Sequence, residues 1–192
     1  MAAVRPMGRV PGAGAEWMIL KLKRAPGIYL VGFMACGKSM IGSCLAARLG
    51  WGFADVDADI ESEERASILD IFDSRGEEEF RRLETEALRR RVHMIQAGHP
   101  LVVALGGGAF ARVANFDLVA DNGVTVWLDC PLSLIRRRVE SSAHRPLARD
   151  PVKFEVLYYA RRESYARADY CVKVTGDDPE PSVDAILKLP IF

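Results

Sequence analysis

Ile28-Tyr29-Leu30-Val31-Gly32-Phe33-Met34-Ala35-Cys36-Gly37-Lys38-Ser39 is an apolar run that leads into a complete G-x4-G-K-S pattern. The apolar run reads as a buried strand, and Ile41 to Leu49 beyond it as a helix. Between the two, glycines let backbone N–H groups turn inward around an oxyanion at the start of the helix. Lys38 can reach the β- and γ-phosphates of a nucleotide, and the Ser39 hydroxyl can ligate Mg²⁺. A turn that only reverses the chain would not need all the fixed positions of the pattern between a strand and a helix. The stretch predicts nucleotide phosphate binding, with Met34, Ala35, Cys36, Gly37, Lys38, Ser39 and Met40 around the phosphates.

Strands and helices alternate outward from this point, which predicts α/β with a parallel sheet. The expected strands are Ile28–Val31, Gly52–Asp55, Leu101–Leu105, Val124–Leu128 and Tyr170–Val174. The expected helices are Gly37–Leu49, Asp59–Glu64, Ile68–Asp73, Glu77–Ala97, Val113–Ala120, Pro131–Glu140, Val152–Tyr165 and Val183–Leu187. Glu77–Ala97 is the clearest, because Phe80, Leu83, Ala87, Leu88, Val92 and Ile95 form one apolar stripe. Ser67 is a good N-cap for the helix before it.

With 192 residues, 49% of them hydrophobic, the chain can bury one substantial core. Lys plus Arg and Asp plus Glu both number 26, so net charge draws it toward neither nucleic acid nor membrane. Cys36, Cys44, Cys130 and Cys171 are scattered without a C-x-x-C pair, as for reduced thiols in the cytosol. Cys36, inside the phosphate loop, is either a reactive thiol or a small residue that fits. No apolar stretch is long enough to span a bilayer. Residues 1–26, with Arg5, Arg9, Lys21, Lys23 and Arg24 and several Pro and Gly, lack the apolar core of a signal peptide. They read as a flexible extension ahead of one domain at 27–192.

Phosphoryl transfer needs a phosphate cradle, a metal, an oriented acceptor hydroxyl and positive charge over the migrating group. Asp55-Val56-Asp57 ends the second strand, where alternation would place both carboxylates on one face toward the ligand crevice. One could hold the metal or its waters while the other accepts the hydroxyl proton. The alternative is a solvated acidic turn or a helix N-cap, for which Asp59 is better placed. Gly106-Gly107-Gly108 signals either a close backbone approach to a ligand or a tight turn. Arg81 flanks the apolar stripe with Glu84 three residues on, and Arg161 sits on a later helix. The two arginines could clamp a carboxylate, or each could be a surface ion pair. Arg145, in an irregular loop at about 140–152, could close over the phosphates as part of a lid, or stand exposed. The helical segment at about 59–97 is the natural acceptor side.

These motifs, in this order, resemble the shikimate kinase family from about Ile28 to about Val174. The resemblance rests on Gly32–Ser39, on Asp55-Val56-Asp57 with Ile60-Glu61, and on Ser67-Ile68-Leu69-Asp70-Ile71-Phe72. It continues through Gly76-Glu77-Glu78-Glu79-Phe80-Arg81, the triple glycine, Arg145-Pro146-Leu147 and Arg161-x3-Tyr165. It implies a three-layer, nucleoside-monophosphate-kinase-like P-loop fold with a five-stranded parallel sheet in the order 2-3-1-4-5. It implies transfer of the γ-phosphate of ATP to the 3-hydroxyl of shikimate, a step toward chorismate and the aromatic amino acids.

By the same resemblance, Lys38 contacts the phosphates, and Ser39 ligates Mg²⁺ with Asp55 near the metal. Asp57 holds the acceptor hydroxyl and is the candidate base. Arg81 and Arg161 bind the substrate carboxylate with Glu84 in support, and Gly106, Gly107 and Gly108 line the pocket. Arg145 comes from the lid, and Arg138 lies near the adenine. The implied protein is a cytoplasmic monomer with no nucleic-acid or membrane partner. Met40 stands where a hydroxyl residue is common, and little effect is expected. Two rivals are a related kinase, such as a gluconate kinase, and a catalytically inert nucleotide-binding homologue. Intact Lys38, Ser39, Asp55, Asp57 and Arg145 argue against the second.

Overall fold

The computed structural model describes residues 27–140 and 150–191. The expected extension at 1–26 and most of the expected lid, Arg145 included, lie outside the described residues. Among the described residues five strands form one sheet in the order β2-β3-β1-β4-β5, the order the family resemblance implies. They are β1 (Gly27–Val31), β2 (Gly52–Asp55), β3 (Leu101–Ala104), β4 (Val124–Asp129) and β5 (Tyr170–Lys173). Every pairing is parallel. The helices are α1 (Lys38–Leu49), α2 (Val56–Glu64), α3 (Ile68–Gln96), α4 (Val113–Ala120), α5 (Leu132–Glu140), α6 (Pro151–Tyr165) and α7 (Glu180–Leu187).

The central strands read as unbroken apolar runs because helices cover both of their faces. All of β1 and β3 is buried, and β4 is buried up to Leu128. Register lines up the strand ends: Asp55 pairs with Ala104, Ala104 with Leu30, Val31 with Trp127, and Asp129 with Lys173. The phosphate loop, the start of α2, the triple glycine and Asp129 therefore all leave the sheet at one edge. Strand C-termini of a parallel sheet form the ligand crevice in this way.

The expected stripe of α3 is buried throughout, from Phe80 to Ile95. Ser67 caps that helix in a reciprocal capping box with Asp70. The two expected helices are both present within α3 and are separated at Gly76, whose φ 83, ψ 171 is not helical. α5, α6 and α7 begin within a few residues of expectation, and Asp150 caps α6 by accepting from the Val152 and Lys153 amides.

One boundary changes the reading of the site. The second helix starts at Val56, not Asp59, because Asp55 is its N-cap and accepts from the amides of Asp57 and Ala58. Asp57 thus lies in the first helical turn, so strand alternation is not what turns it toward the crevice. Asp59 is not the cap; its carboxylate pairs with Arg91 of α3. Among the described residues no helix is long and apolar enough to cross a membrane.

Candidate active site

A cleft of about 450 Å³ opens at the C-terminal edge of the sheet. Met34, Ala35, Gly37, Lys38, Ser39 and Met40 form one wall. Asp55 and Asp57 face them, Leu105 and Gly107 lie between, and Arg138 closes one end. Gly37 can enter α1 at φ 102, so the loop passes directly into the helix whose amides point at the cleft. Lys38 Nζ donates to the carbonyls of Gly32 at 2.9 Å and Phe33 at 3.0 Å. The Ser39 hydroxyl donates to Asp55 Oδ2, while Asp55 Oδ1 accepts the Asp57 amide at 3.0 Å. The Cys36 side chain is fully buried beneath the loop, where it packs as a small residue. Met40 is 45% exposed on the cleft wall.

Arg138 bridges the loop to the end of the sheet. It donates to the Ala35 carbonyl at 2.9 Å, to Asp177 Oδ1 at 2.9 Å and to the Gly176 carbonyl at 2.6 Å. The wall around Asp57 is built otherwise. Asp57 Oδ1 is buried and has no hydrogen-bond partner among the described residues. Burial raises the Asp57 carboxyl above the usual aspartate range, with the Lys38 charge opposing. Glu84 is fully buried inside the apolar stripe of α3, and both of its oxygens accept from Arg81 Nη1 at 3.1 Å. Burial also raises the Glu84 carboxyl, against the pull of Arg81. The Arg81 guanidinium lies 5.1 Å from the Phe80 ring centroid and 5.9 Å from that of Phe72, and is further held by Glu77.

The triple glycine is where these pieces meet. A Cβ on Gly106 would stand 2.7 Å from both Asp57 Oδ1 and Glu84 Oε1, closer than carbon can approach. A Cβ on Gly108 would stand 2.7 Å from Arg81 Nη1. The close approach that the sequence suggested is thus to the side chains of the site. Gly107 sits against the phosphate loop, and its carbonyl accepts from the Tyr165 hydroxyl.

Arg161, on α6, is half-buried, and its charge acts on the Tyr165 phenol beside Gly107. It makes no hydrogen bond or ion pair with another described residue. Of the expected site residues, the structure brings Lys38, Ser39, Asp55 and Asp57 to one cleft and sets Arg81, Glu84 and Gly106–Gly108 against its Asp57 side. Sequence reasoning missed Asp129, Tyr158 and Arg162. Asp129 ends a strand at the crevice edge, and that position was the available signal. Asn115 was missed too. Its buried side chain ties Thr85 of α3 to the Ala109 carbonyl just past the glycines.

A shikimate kinase family model matches residues 34–189. A shikimate kinase of Persephonella marina is 40% identical over 161 residues, covering 83% of this chain and 96% of its own. The structure of shikimate kinase from Acinetobacter baumannii in complex with shikimate superposes with a TM-score of 0.80 at 32% identity, covering 89% of this chain and 96% of that one. The shikimate kinase structure from Aquifex aeolicus gives a TM-score of 0.73 at 36% identity, covering 84% and 94%.

Proposed function

The chain belongs to the shikimate kinase family, and we propose that it transfers the γ-phosphoryl group of ATP to the 3-hydroxyl of shikimate, giving shikimate 3-phosphate and ADP. The observation that carries this reading is Asp57 Oδ1. It is a buried carboxylate oxygen, unpartnered among the described residues, between the phosphate-loop lysine and the Arg81–Glu84 pair. Leaving such an oxygen unpaired costs free energy, and a substrate hydroxyl donating to it would recover that cost.

On this reading Lys38 leaves the Gly32 and Phe33 carbonyls to bind the β- and γ-phosphates. The amides at the start of α1 bind the phosphate oxygens. Asp57 orients the acceptor hydroxyl and takes its proton as the bond to phosphorus forms. Arg81, braced by Glu84, and Arg161 bind the substrate carboxylate, while the backbone at Gly106–Gly108 lines the ring. Arg138, against the Ala35 carbonyl, borders the adenine. The segment at about 59–97 carries the acceptor. The lid at about 140–152 supplies Arg145, which spreads charge from the migrating group. Both the lid arginine and the extension at 1–26 lie outside the described residues.

The residues suit a nucleotide-bound Mg²⁺. Ser39 Oγ and an Asp55 oxygen already touch, and both are hard oxygen donors. Among the described residues no group of three or more His, Cys, Asp or Glu forms a metal cage. Mg²⁺ favours one or two protein oxygens beside phosphates and water, and there it neutralises phosphate charge. Ser39 would hold it directly, with Asp55 orienting Ser39 or a water ligand.

A coupled ADP-release assay with shikimate, gluconate and other hydroxy acids tests this. Turnover with shikimate and not gluconate is expected. Turnover with gluconate alone would overturn the acceptor, and nucleotide binding without turnover on any acid would make the chain an inert homologue.

A further inference from the structure

Arg162 stands outside the expected site, yet it fastens α6 to the crevice edge of the sheet. Its Nη1 donates to Asp129 Oδ1 at 2.5 Å, and its Nη2 donates to Oδ2 at 3.2 Å. Nη1 also donates to the Tyr158 hydroxyl at 2.8 Å, which in turn donates to the Cys130 carbonyl at 3.0 Å. The guanidinium lies over the Trp127 ring, 4.8 Å from its centroid. Trp127 and Asp129 belong to the end of β4, and Cys130 follows directly. A planar fork held on a carboxylate and stacked on an aromatic ring fixes orientation as well as distance.

The face of α6 beside this clamp touches the phosphate loop and the triple glycine. Phe154 and Tyr158 meet the phosphate-loop residue Phe33 edge-on, with ring centroids 5.2 and 5.4 Å away. Tyr165 holds the Gly107 carbonyl. Positions 154, 158, 161 and 165 follow the three-and-four spacing of one helix face, so Arg161 lies between the Tyr158 and Tyr165 contacts. Arg161 has no tie of its own to another described residue. Its direction is therefore set by the rotation and axial position of the helix, and Arg162 grips that helix one residue away.

We infer that Arg162, through Asp129, is a positioning residue for acceptor binding: the clamp orients α6 so that Arg161 faces the acceptor's carboxylate. The inference rests on the acceptor reading above. Without the clamp α6 can turn on its aromatic contacts. A guanidinium at the end of a long side chain magnifies such a turn, and displacements of about 1 Å weaken aligned contacts severely.

The test compares Arg162→Gln, Asp129→Asn and the double variant with wild type, varying acceptor and ATP separately and following thermal unfolding. Each single variant is expected to raise the shikimate KM about tenfold, the loss typical of one charged partner. The ATP KM stays within about twofold, and the double variant is no worse than the worse single one. Arg162→Lys, which keeps the charge without the fork, falls in between and carries the test if the glutamine variant does not fold. An unchanged acceptor KM with only a lowered Tm, an equal rise in ATP KM, or additive losses would overturn the inference. If wild type uses a different hydroxy acid, the ratios are measured with that acid. A wrong acceptor then shows in wild type, and a wrong positioning role shows in the ratios. No turnover with any acid overturns both.

Discussion

Lys38 and Asp57 face the same cleft, but among the described residues Lys38 is already hydrogen-bonded and Asp57 Oδ1 is not. On the donor side every polar group named has a local partner: Lys38 the loop carbonyls, Ser39 the Asp55 carboxylate, and Asp55 the first amides of α2. A nucleotide entering there exchanges partners within a structure that already satisfies itself. On the acceptor side two carboxylates, Asp57 and Glu84, are buried around Gly106, with Arg81 paired to only one of them. That side holds its groups at a cost in desolvation, which on the proposed reading a bound acceptor relieves. The contrast ties stability to function: replacing the unpaired, buried Asp57 should gain stability while it destroys activity, and replacing the self-satisfied donor groups should not.

Asp57→Asn tests this contrast most severely. As a base in the transition state Asp57 is worth at least about 100-fold, so kcat should fall by that much or more. Stability should move the other way. The folded-state pKa of Asp57 is raised, first by burial. Wild type therefore carries no penalty at low pH, where both states are protonated, and a growing one as pH rises through the folded value. Thermal unfolding near neutral pH should show the Asn variant more stable, with the gap closing as pH falls toward the ordinary aspartate range. Equal melting temperatures at neutral pH would break the contrast.

Arg81→Ala sharpens it from the cationic side. Losing one charged partner costs roughly 1.5–3 kcal/mol, so the shikimate KM should rise about tenfold or more while the ATP KM holds. Steady-state kinetics with each substrate varied separately would show whether the two halves are energetically distinct. The smallest effect is expected at Met40, 45% exposed beside Ser39. Met40→Thr restores a hydroxyl on a wall whose polar groups already have partners, so the ATP KM should change by less than about threefold. A larger shift would mean the donor half is less complete than its hydrogen bonds suggest.

The same two halves differ in how far the sequence revealed them. The donor half is nearly contiguous, and its chemistry follows from a loop whose conformation is dictated locally. The acceptor half was visible only as scattered candidates. Glu84 in an apolar stripe could have been an exposed break in the pattern, and it is the buried anchor of Arg81. Asp57 was placed in the cleft by a strand argument that does not hold, since Asp55 ends the strand by capping α2. Both carboxylates still face the cleft, because the first turn of α2 lies on the crevice edge. Arg161 and Arg162 are indistinguishable by position alone. Only the packing of α6 on β4 shows one clamped to Asp129 and the other without a tie among the described residues.

The phosphate loop, the alternation of strand and helix, and the apolar faces that make a parallel sheet with covered sides are all legible in the order of residues. Those properties depend on near neighbours in the chain: backbone freedom at a glycine, the period of a helix, an unbroken apolar run. The convergence of Asp57, Glu84, Arg81 and the triple glycine, and the grip of Arg162 on the end of β4, come from the packed fold. These residues lie far apart in sequence. Strand order and register place them together, and spacing along the chain carries no record of which strand end will lie beside which.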